Sequence, residues 1–334
     1  MKISQLHTIF TLAMTTGKSV YLKSQPGIGK TESVRQFAEA IGKRLIHVHV
    51  PLTDLLDIKG VISTNGDTAK FLPLAVWPKY DDEPVIVLLD ELPQAAPAII
   101  NGYSQLLIDQ QMGDIQLPKG SLVIATGNRK EDKAAANNLP THVVSRVMHI
   151  DLELSIEEFL NYAAKNRWNQ KIVGYLTFKN SSINTFDPKD SQSPYGCPRT
   201  WECASQLLNA AEEAGVTDMN FDLLASEVGE HLAGEVISYC RLYEDLQNPA
   251  DVLAAPKLAT LPHNHSALIA LSLSIAAIVD KKTVTQFYEY LERLDKELRI
   301  MTIKTAKRYY NDVTKDDRKS FSKFAVEHSE LFPD

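Results

Sequence analysis

Five short apolar stretches, at residues 19–22, 45–50, 85–89, 121–125 and 147–150, constrain this chain more than any other feature. Apolar residues dominate them, and only residues 46–50 alternate, at His47 and His49. A strand with one wet face alternates, so unbroken apolarity marks strands covered by helices on both faces. Between the stretches, residues 32–42 and 97–110 carry apolar side chains at helical spacing. Strand and helix in alternation predict a parallel sheet with right-handed crossovers, an α/β class of fold. Asn65-Gly66, set between Val61-Ile62 and Ala69-Phe71, reads as a two-residue hairpin, and Gly113 marks a further turn.

After residue 153 the strand pattern ends. Ser155-Ile156-Glu157-Glu158 fits a capping box that opens a helix. Two proline-bearing stretches, residues 184–198 and 248–265, read as loops between helical segments. The expected organisation is an αβα core over residues 1–153, an all-α lid subdomain over 154–247 and a helical C-terminal extension over 248–334.

The 334 residues, 44% hydrophobic and 23% charged, are globular in composition and exclude a largely disordered chain. The longest apolar run, residues 267–279, is broken by Ser272 and Ser274 and is too short to span a bilayer. The first residues show no signal-peptide pattern. Three cysteines, Cys197, Cys203 and Cys240, form no CxxC pair, which fits a reducing, cytoplasmic setting. A net charge of −7 argues against a dedicated nucleic-acid binder. The charge is uneven, however. Residues 281–324 hold twelve Lys or Arg against seven Asp or Glu, +5, and the rest of the chain carries −12. That segment reads either as a basic interaction surface or, more commonly, as a solvated helix face laced with ion pairs.

The chemistry gathers in four places. Ser24-Gln25-Pro26-Gly27-Ile28-Gly29-Lys30-Thr31 joins a strand to a helix. Such a loop lets backbone N–H groups surround a nucleoside triphosphate, and the helix adds its positive dipole end. Lys30 can reach the β- and γ-phosphate oxygens, and the Thr31 hydroxyl can ligate Mg²⁺. Asp90 and Glu91 end the apolar stretch at residues 85–89, where a carboxylate needs a cation or donors. Asp90 can hold Mg²⁺ through water, while Glu91 can orient the attacking water and accept its proton. Asn128, in Thr126-Gly127-Asn128-Arg129, can steady that water or simply cap an Asx turn. Arg146 and Arg199 are candidates for an extra cation at the γ-phosphate, although an isolated arginine is more often a surface ion pair.

Pro26-Gly27-Ile28-Gly29-Lys30-Thr31, Leu88-Leu89-Asp90-Glu91, Thr126-Gly127-Asn128-Arg129 and Leu139-Pro140…Ser145-Arg146 resemble the AAA+ ATPases, most closely the MoxR-like branch. Asp57-Ile58-Lys59-Gly60, the hairpin at Asn65-Gly66, Leu72-Pro73 and Trp77-Pro78 look like the helix-2 insert of that branch. The likeness covers roughly residues 16–215 and implies a P-loop αβα core with a helical lid, binding ATP and Mg²⁺ at the subunit boundaries of a ring, commonly a hexamer. By that match Lys30 and Thr31 belong to Walker A, within a nucleotide-contacting set of Gln25, Pro26, Gly27, Ile28, Gly29, Lys30, Thr31 and Glu32. Asp90 and Glu91 belong to Walker B, Asn128 falls at sensor 1, Arg146 at the trans arginine finger and Arg199 at sensor 2. Ser24 departs from the usual glycine at the loop entrance. Pro93-Gln94 stands where relatives show Asn followed by a basic residue, and Arg129 competes with Arg146 for the trans position.

The resemblance implies a protein client and a partner with a von Willebrand factor A domain. The leading expectation is a ring-forming motor that remodels or activates such a client. Two alternatives stay open: a nucleic-acid motor or loader, and a slow ATP-operated switch or scaffold. Other conspicuous residues take plainer readings. His47 and His49, and His263 and His265, read as structural rather than metal-binding, Trp201 as packing, and Cys197 as unreactive.

Overall fold

The computed structural model describes residues 1–65, 67–132, 137–190, 193–216, 220–244 and 247–327. It divides into two compact units, Met1–Ser155 with Phe186–Ser191, and Ile156–Thr185 with Gln192–Asp334.

In the first unit, in chain order, lie α1 (Leu6–Thr16), β1 (Val20–Ser24), α2 (Lys30–Ala40), β2 (Leu45–His49), α3 (Leu55–Lys59), β3 (Val61–Asn65), β4 (Thr68–Leu72) and β5 (Ile86–Asp90). They are followed by α4 (Pro97–Asp109), β6 (Gln111–Met112), β7 (Ile115–Gln116), β8 (Leu122–Asn128), α5 (Thr141–Val144) and β9 (Met148–Asp151). The five expected strands form one sheet in the order β2-β5-β8-β1-β9, parallel throughout.

Both faces of the three central strands are covered, which is why β5, β8 and β1 read as largely apolar runs, whereas the edge strands β2 and β9 carry exposed residues. Val20, Leu22, Ile86, Leu88, Leu122 and Ile124 share one core with Leu6 and Phe10 of α1 and Val34 and Phe37 of α2. Tyr21, Val87, Leu89, Val123 and Ala125 share the opposite core with Ile100, Tyr103, Leu106 and Leu107 of α4. Successive residues thus face alternate layers, and each fully buried large side chain contributes roughly 1.5–3 kcal/mol.

The strands run further than their apolar stretches. β8 continues through Thr126, Gly127 and Asn128, because Leu22, Lys23 and Ser24 of β1 pair with them in register. Backbone pairing carries the strand past the point where hydrophobicity stops, into the residues with chemistry.

β3 and β4 form the expected hairpin, with Asn65 opposite Thr68; Gly66 lies outside the described residues. Val61, Ile62, Phe71 and Leu72 on it are exposed. Gly60 at its base has φ +83°, and a Cβ built there would run into the Leu72 backbone carbonyl. Gly113, at φ +58°, turns β6 into β7.

The second unit is helical, with α6 (Ile156–Lys165), α7 (Gln170–Phe178), α8 (Pro198–Glu213), α9 (Asn220–Val228) and α10 (Glu230–Glu244). It continues with α11 (Pro249–Ala254), α12 (His265–Ile278), α13 (Val284–Leu291), α14 (Lys296–Tyr309), α15 (Val313–Asp316) and α16 (Arg318–Glu327). Residues on both sides of position 247 belong to this unit: α12 packs on α7 and α10, and α14 on α6. The expected loop at residues 248–265 contains helix α11, which the sequence reading overlooked. Asn248 accepts from the Ala250 N–H and Pro249 occupies the first helical position, so the prolines there start a helix instead of preventing one. Asn264 likewise caps α12, so His263-Asn264-His265 is a helix start.

Trp201 is fully buried, its indole N–H donating to the Ser182 carbonyl. Three cations of the basic segment are engaged within the unit. Lys323 meets Glu292 at 2.5 Å and Lys315 meets Asp312 at 2.8 Å, while Arg299 donates to the Leu294 and Glu292 carbonyls. No helix among the described residues is long and apolar enough to cross a membrane.

Gly60→Ala is expected to displace the β3–β4 ribbon and leave the five-stranded sheet intact. Hydrogen exchange checks this: protection should fall in residues 61–72 while the β5 and β8 amides keep theirs.

Candidate functional site

Parallel strands place their carboxyl ends along one edge of the sheet, where open α/β folds bind ligands. Here His49 of β2 pairs with Asp90 of β5, Leu89 of β5 with Ala125 of β8, and Ser24 of β1 with Asn128 of β8. Register alone therefore brings Asp90, Thr126, Asn128 and Ser24 to the same rim.

The loop after β1 turns on two glycines in the left-handed region, Gly27 at φ 75° and Gly29 at φ 102°. Ile28 between them is 3% exposed and anchored in the α1–α2 core. Helix α2 starts at Lys30, one residue before the expected Thr31, and no side chain caps it. With glycine at the N-cap, no capping side chain covers the positive end of the helix dipole, which suits an anion.

Lys30 is 9% exposed, an unusual degree of burial for an ammonium group. Its Nζ donates to Asn128 Oδ1 at 2.9 Å, Ser24 Oγ at 3.0 Å, the Gln25 carbonyl at 3.3 Å and the Ser24 carbonyl at 3.4 Å. These four acceptors are neutral, and the Asp132 carboxylate also interacts with the lysine's charge. The serine that replaces the usual entrance glycine supplies one of them. Ser24 is fully buried, and its hydroxyl in turn donates to the Gln25 carbonyl at 2.7 Å.

Asp90 is the most heavily supported carboxylate of the site. The Thr31 hydroxyl lies 3.1 and 3.0 Å from its two oxygens, and the Thr126 hydroxyl donates to Oδ1 at 2.5 Å. His47 Nε2 lies 3.1 Å from Oδ2. Glu91 follows in a left-handed backbone, φ 57° and ψ 33°, which a residue with a Cβ adopts only when its surroundings hold it there. Its carboxylate is 3.7 Å from His49 Nε2 and remains partly open to solvent.

The donor set fits a hard cation. A hydroxyl and a carboxylate converge at Thr31 and Asp90, both oxygen ligands of the kind Mg²⁺ takes. Among the described residues no group of three or more His, Cys, Asp or Glu is arranged to hold a metal by itself. A metal here would draw its remaining ligands from water and phosphate, the usual arrangement for Mg²⁺.

The structure brings together Lys30, Thr31, Asp90, Glu91 and Asn128. Glu32 turns away, its carboxylate accepting from Gln36 Nε2 at 3.1 Å on the exposed side of α2. Arg129 is engaged within its own unit, donating from Nη2 to the Leu152 carbonyl at 3.0 Å. Arg146 is exposed and donates only within its own turn, to the His142 carbonyl at 3.1 Å; no carboxylate pairs with it among the described residues. Arg199 is exposed in the first turn of α8, in the second unit.

Sequence reasoning missed His47, His49 and Thr126 as parts of the site. The two histidines were recognisable as a same-face pair on a strand. What no single strand reveals is its neighbour, and only the β2–β5 pairing sets them against Asp90 and Glu91.

Gly127 has no room for a side chain: a Cβ there would lie 2.5 Å from Tyr21 Oη and 2.8 Å from Pro93 Cγ. Gly127→Ala is expected to cost about 1–3 kcal/mol through overpacking, read as a lowered urea midpoint with an unchanged slope.

Residues 19–147 match the AAA domain of the dynein-related subfamily. A stretch of 150 residues is 24% identical to midasin of Giardia intestinalis, covering 42% of this chain and 3% of midasin. The chain therefore spans only a small part of that relative's length. Among solved structures, the RuvB Holliday junction branch migration motor of Thermotoga maritima is 15% identical, with a TM-score of 0.39 over 87% of this chain and 86% of that one. A putative ATPase from Cytophaga hutchinsonii is 16% identical, with a TM-score of 0.33 over 89% and 79% of the two chains. Over residues 19–147 the chain is therefore similar to an AAA domain.

Proposed function

We propose that this AAA domain binds ATP with Mg²⁺ and hydrolyses it to remodel or activate a protein client, with each site completed by a neighbouring copy in a ring. The observation that carries the reading is the convergence of Lys30, Thr31, Asp90, Glu91 and Asn128 on one edge of the sheet.

The residues divide the work by their chemistry. The loop amides and the start of α2 receive the phosphates, and Lys30 exchanges its neutral acceptors for phosphate oxygens. Mg²⁺, when bound, would neutralise phosphate charge, with Thr31 and Asp90 as its protein-side oxygens. Glu91 takes a proton from the water that attacks the γ-phosphorus as the bond to the ADP oxygen breaks, and Asn128 holds that water in place. Arg146 supports the trans role. An exposed guanidinium without a carboxylate partner among the described residues is available to a neighbour's γ-phosphate. Arg129, tied to Leu152, is less available. Arg199 is proposed, on the motif resemblance alone, as the sensor 2 cation.

The finer assignment, a MoxR-like protein working beside a von Willebrand factor A domain partner, rests on the motif resemblance and on the hairpin that exposes Val61, Ile62, Phe71 and Leu72. A nucleic-acid motor has less support, because the net charge is −7 and its one favouring feature, the basic segment, has Lys315, Lys323 and Arg299 engaged within its own unit.

Lys30→Ala is expected to weaken ATP binding by about tenfold or more, measured with a fluorescent ATP analogue. Glu91→Gln should keep that binding and lose about 100-fold or more in turnover. Wild-type turnover in Glu91→Gln overturns the assignment of Glu91 as the base.

A further inference from the structure

We infer that Thr126 is a positioning residue that couples the metal-side carboxylate of Asp90 to the backbone of Glu91. This rests on the hydrolytic reading above and deepens it.

The Thr126 side chain is fully buried at the edge of the site. Its Oγ1 gives its one proton to Asp90 Oδ1 at 2.5 Å and accepts the Glu91 backbone N–H at 3.0 Å. Both directions are fixed, because a carboxylate only accepts and an amide N–H only donates. One oxygen atom therefore joins two consecutive residues assigned different tasks.

The Glu91 backbone needs such a restraint. At φ 57° it occupies a region that a residue with a Cβ disfavours, and the next residues turn at once into a short 3₁₀ turn, Leu92–Gln94. That turn is held from the far side, where the Asn137 N–H donates to the Pro93 carbonyl at 2.6 Å and Asn137 Nδ2 to the Ala95 carbonyl at 2.9 Å. Thr126 holds the near side. Without its hydroxyl, the partly buried Glu91 N–H loses this partner and the left-handed turn loses one of its supports.

The neighbour of Thr126 reinforces this placement. Gly127 lies so close to Pro93 and Tyr21 that the β8 backbone and the turn after Glu91 pack directly on each other. Thr126 is thus seated against the turn it restrains. Its loss should act on the chemical step, through where Glu91 points, more than on nucleotide affinity, which Lys30 and the loop govern.

The test compares wild type, Thr126→Val, Thr126→Ala, Thr126→Ser and Glu91→Gln in three readouts: affinity for a non-hydrolysable ATP analogue, kcat, and the urea midpoint. Val keeps the shape and drops the hydroxyl, Ala removes the hydroxyl with less bulk should Val not fold, and Ser keeps the hydroxyl. Val and Ala should lower kcat about tenfold or more with affinity within about threefold of wild type, and Ser should restore kcat to within about threefold. Adding Thr126→Val to Glu91→Gln should lower turnover little further, because residues acting as one unit are not additive. The inference is overturned if Val and Ala keep wild-type kcat, if Ser falls as far as they do, if affinity falls in step with kcat, or if the double variant multiplies the two losses. Should Glu91→Gln itself turn over normally, the hydrolytic reading fails; an inactive Glu91→Gln beside a normal Thr126→Val removes only the role of Thr126.

Discussion

A carboxylate that is 7% exposed at the end of a fully buried strand sets the terms for the rest of the site. Asp90 needs donors wherever its oxygens point, and the fold brings them from three other elements: Thr31 from the start of α2, Thr126 from β8 and His47 from β2. Each depends on strand order. With β5 between β2 and β8, a histidine stands on one side of Asp90 and a threonine on the other. The same order puts β8 beside β1, so Asn128 can share the Lys30 ammonium with Ser24. Cationic and anionic halves of the site are thereby held close together on rigid elements, each satisfied by neighbouring groups. Preorganisation of this kind is what phosphoryl transfer requires of a protein, since positioning and charge stabilisation supply nearly all of its catalysis.

The helical unit follows a different logic. Its helices are started by side-chain caps, Asn169 on α7, Asn248 on α11, Asn264 on α12 and Asp295 on α14, and they bury apolar residues on both sides of position 247. Within it, exposed ion pairs such as Lys257 with Glu289 absorb charge that sequence counting alone leaves as an excess. Such pairs contribute little to stability, so the cohesion of this unit comes from its apolar core.

The sheet was legible because burial on both faces of its central strands leaves a one-dimensional signature, runs dominated by apolar residues. The loop and the two carboxylates were legible because glycine, lysine and paired acids at strand ends are costly without a purpose. Adjacency was not legible. His47 and His49 read as bland ladder residues because nothing in a single strand states that β5 lies next to it. Thr126 was quoted with its motif and given no task, since its importance lies in two hydrogen bonds to a different strand end. Helix α11 was lost for a local reason: prolines at residues 249 and 256 read as breakers, whereas Pro249 sits where a helix tolerates it best.

A ring motor of the proposed kind hydrolyses ATP only where a second copy completes the site. The direct measurement is steady-state ATP turnover per subunit across a wide range of protein concentration, with the assembly state followed in the same samples. Specific activity that climbs with concentration and then saturates is the predicted result, because dilution would separate the proposed trans residue Arg146 from a neighbour's site. A substantial rate from a proven monomer contradicts the completion between copies, and no turnover at any concentration contradicts the hydrolytic reading itself.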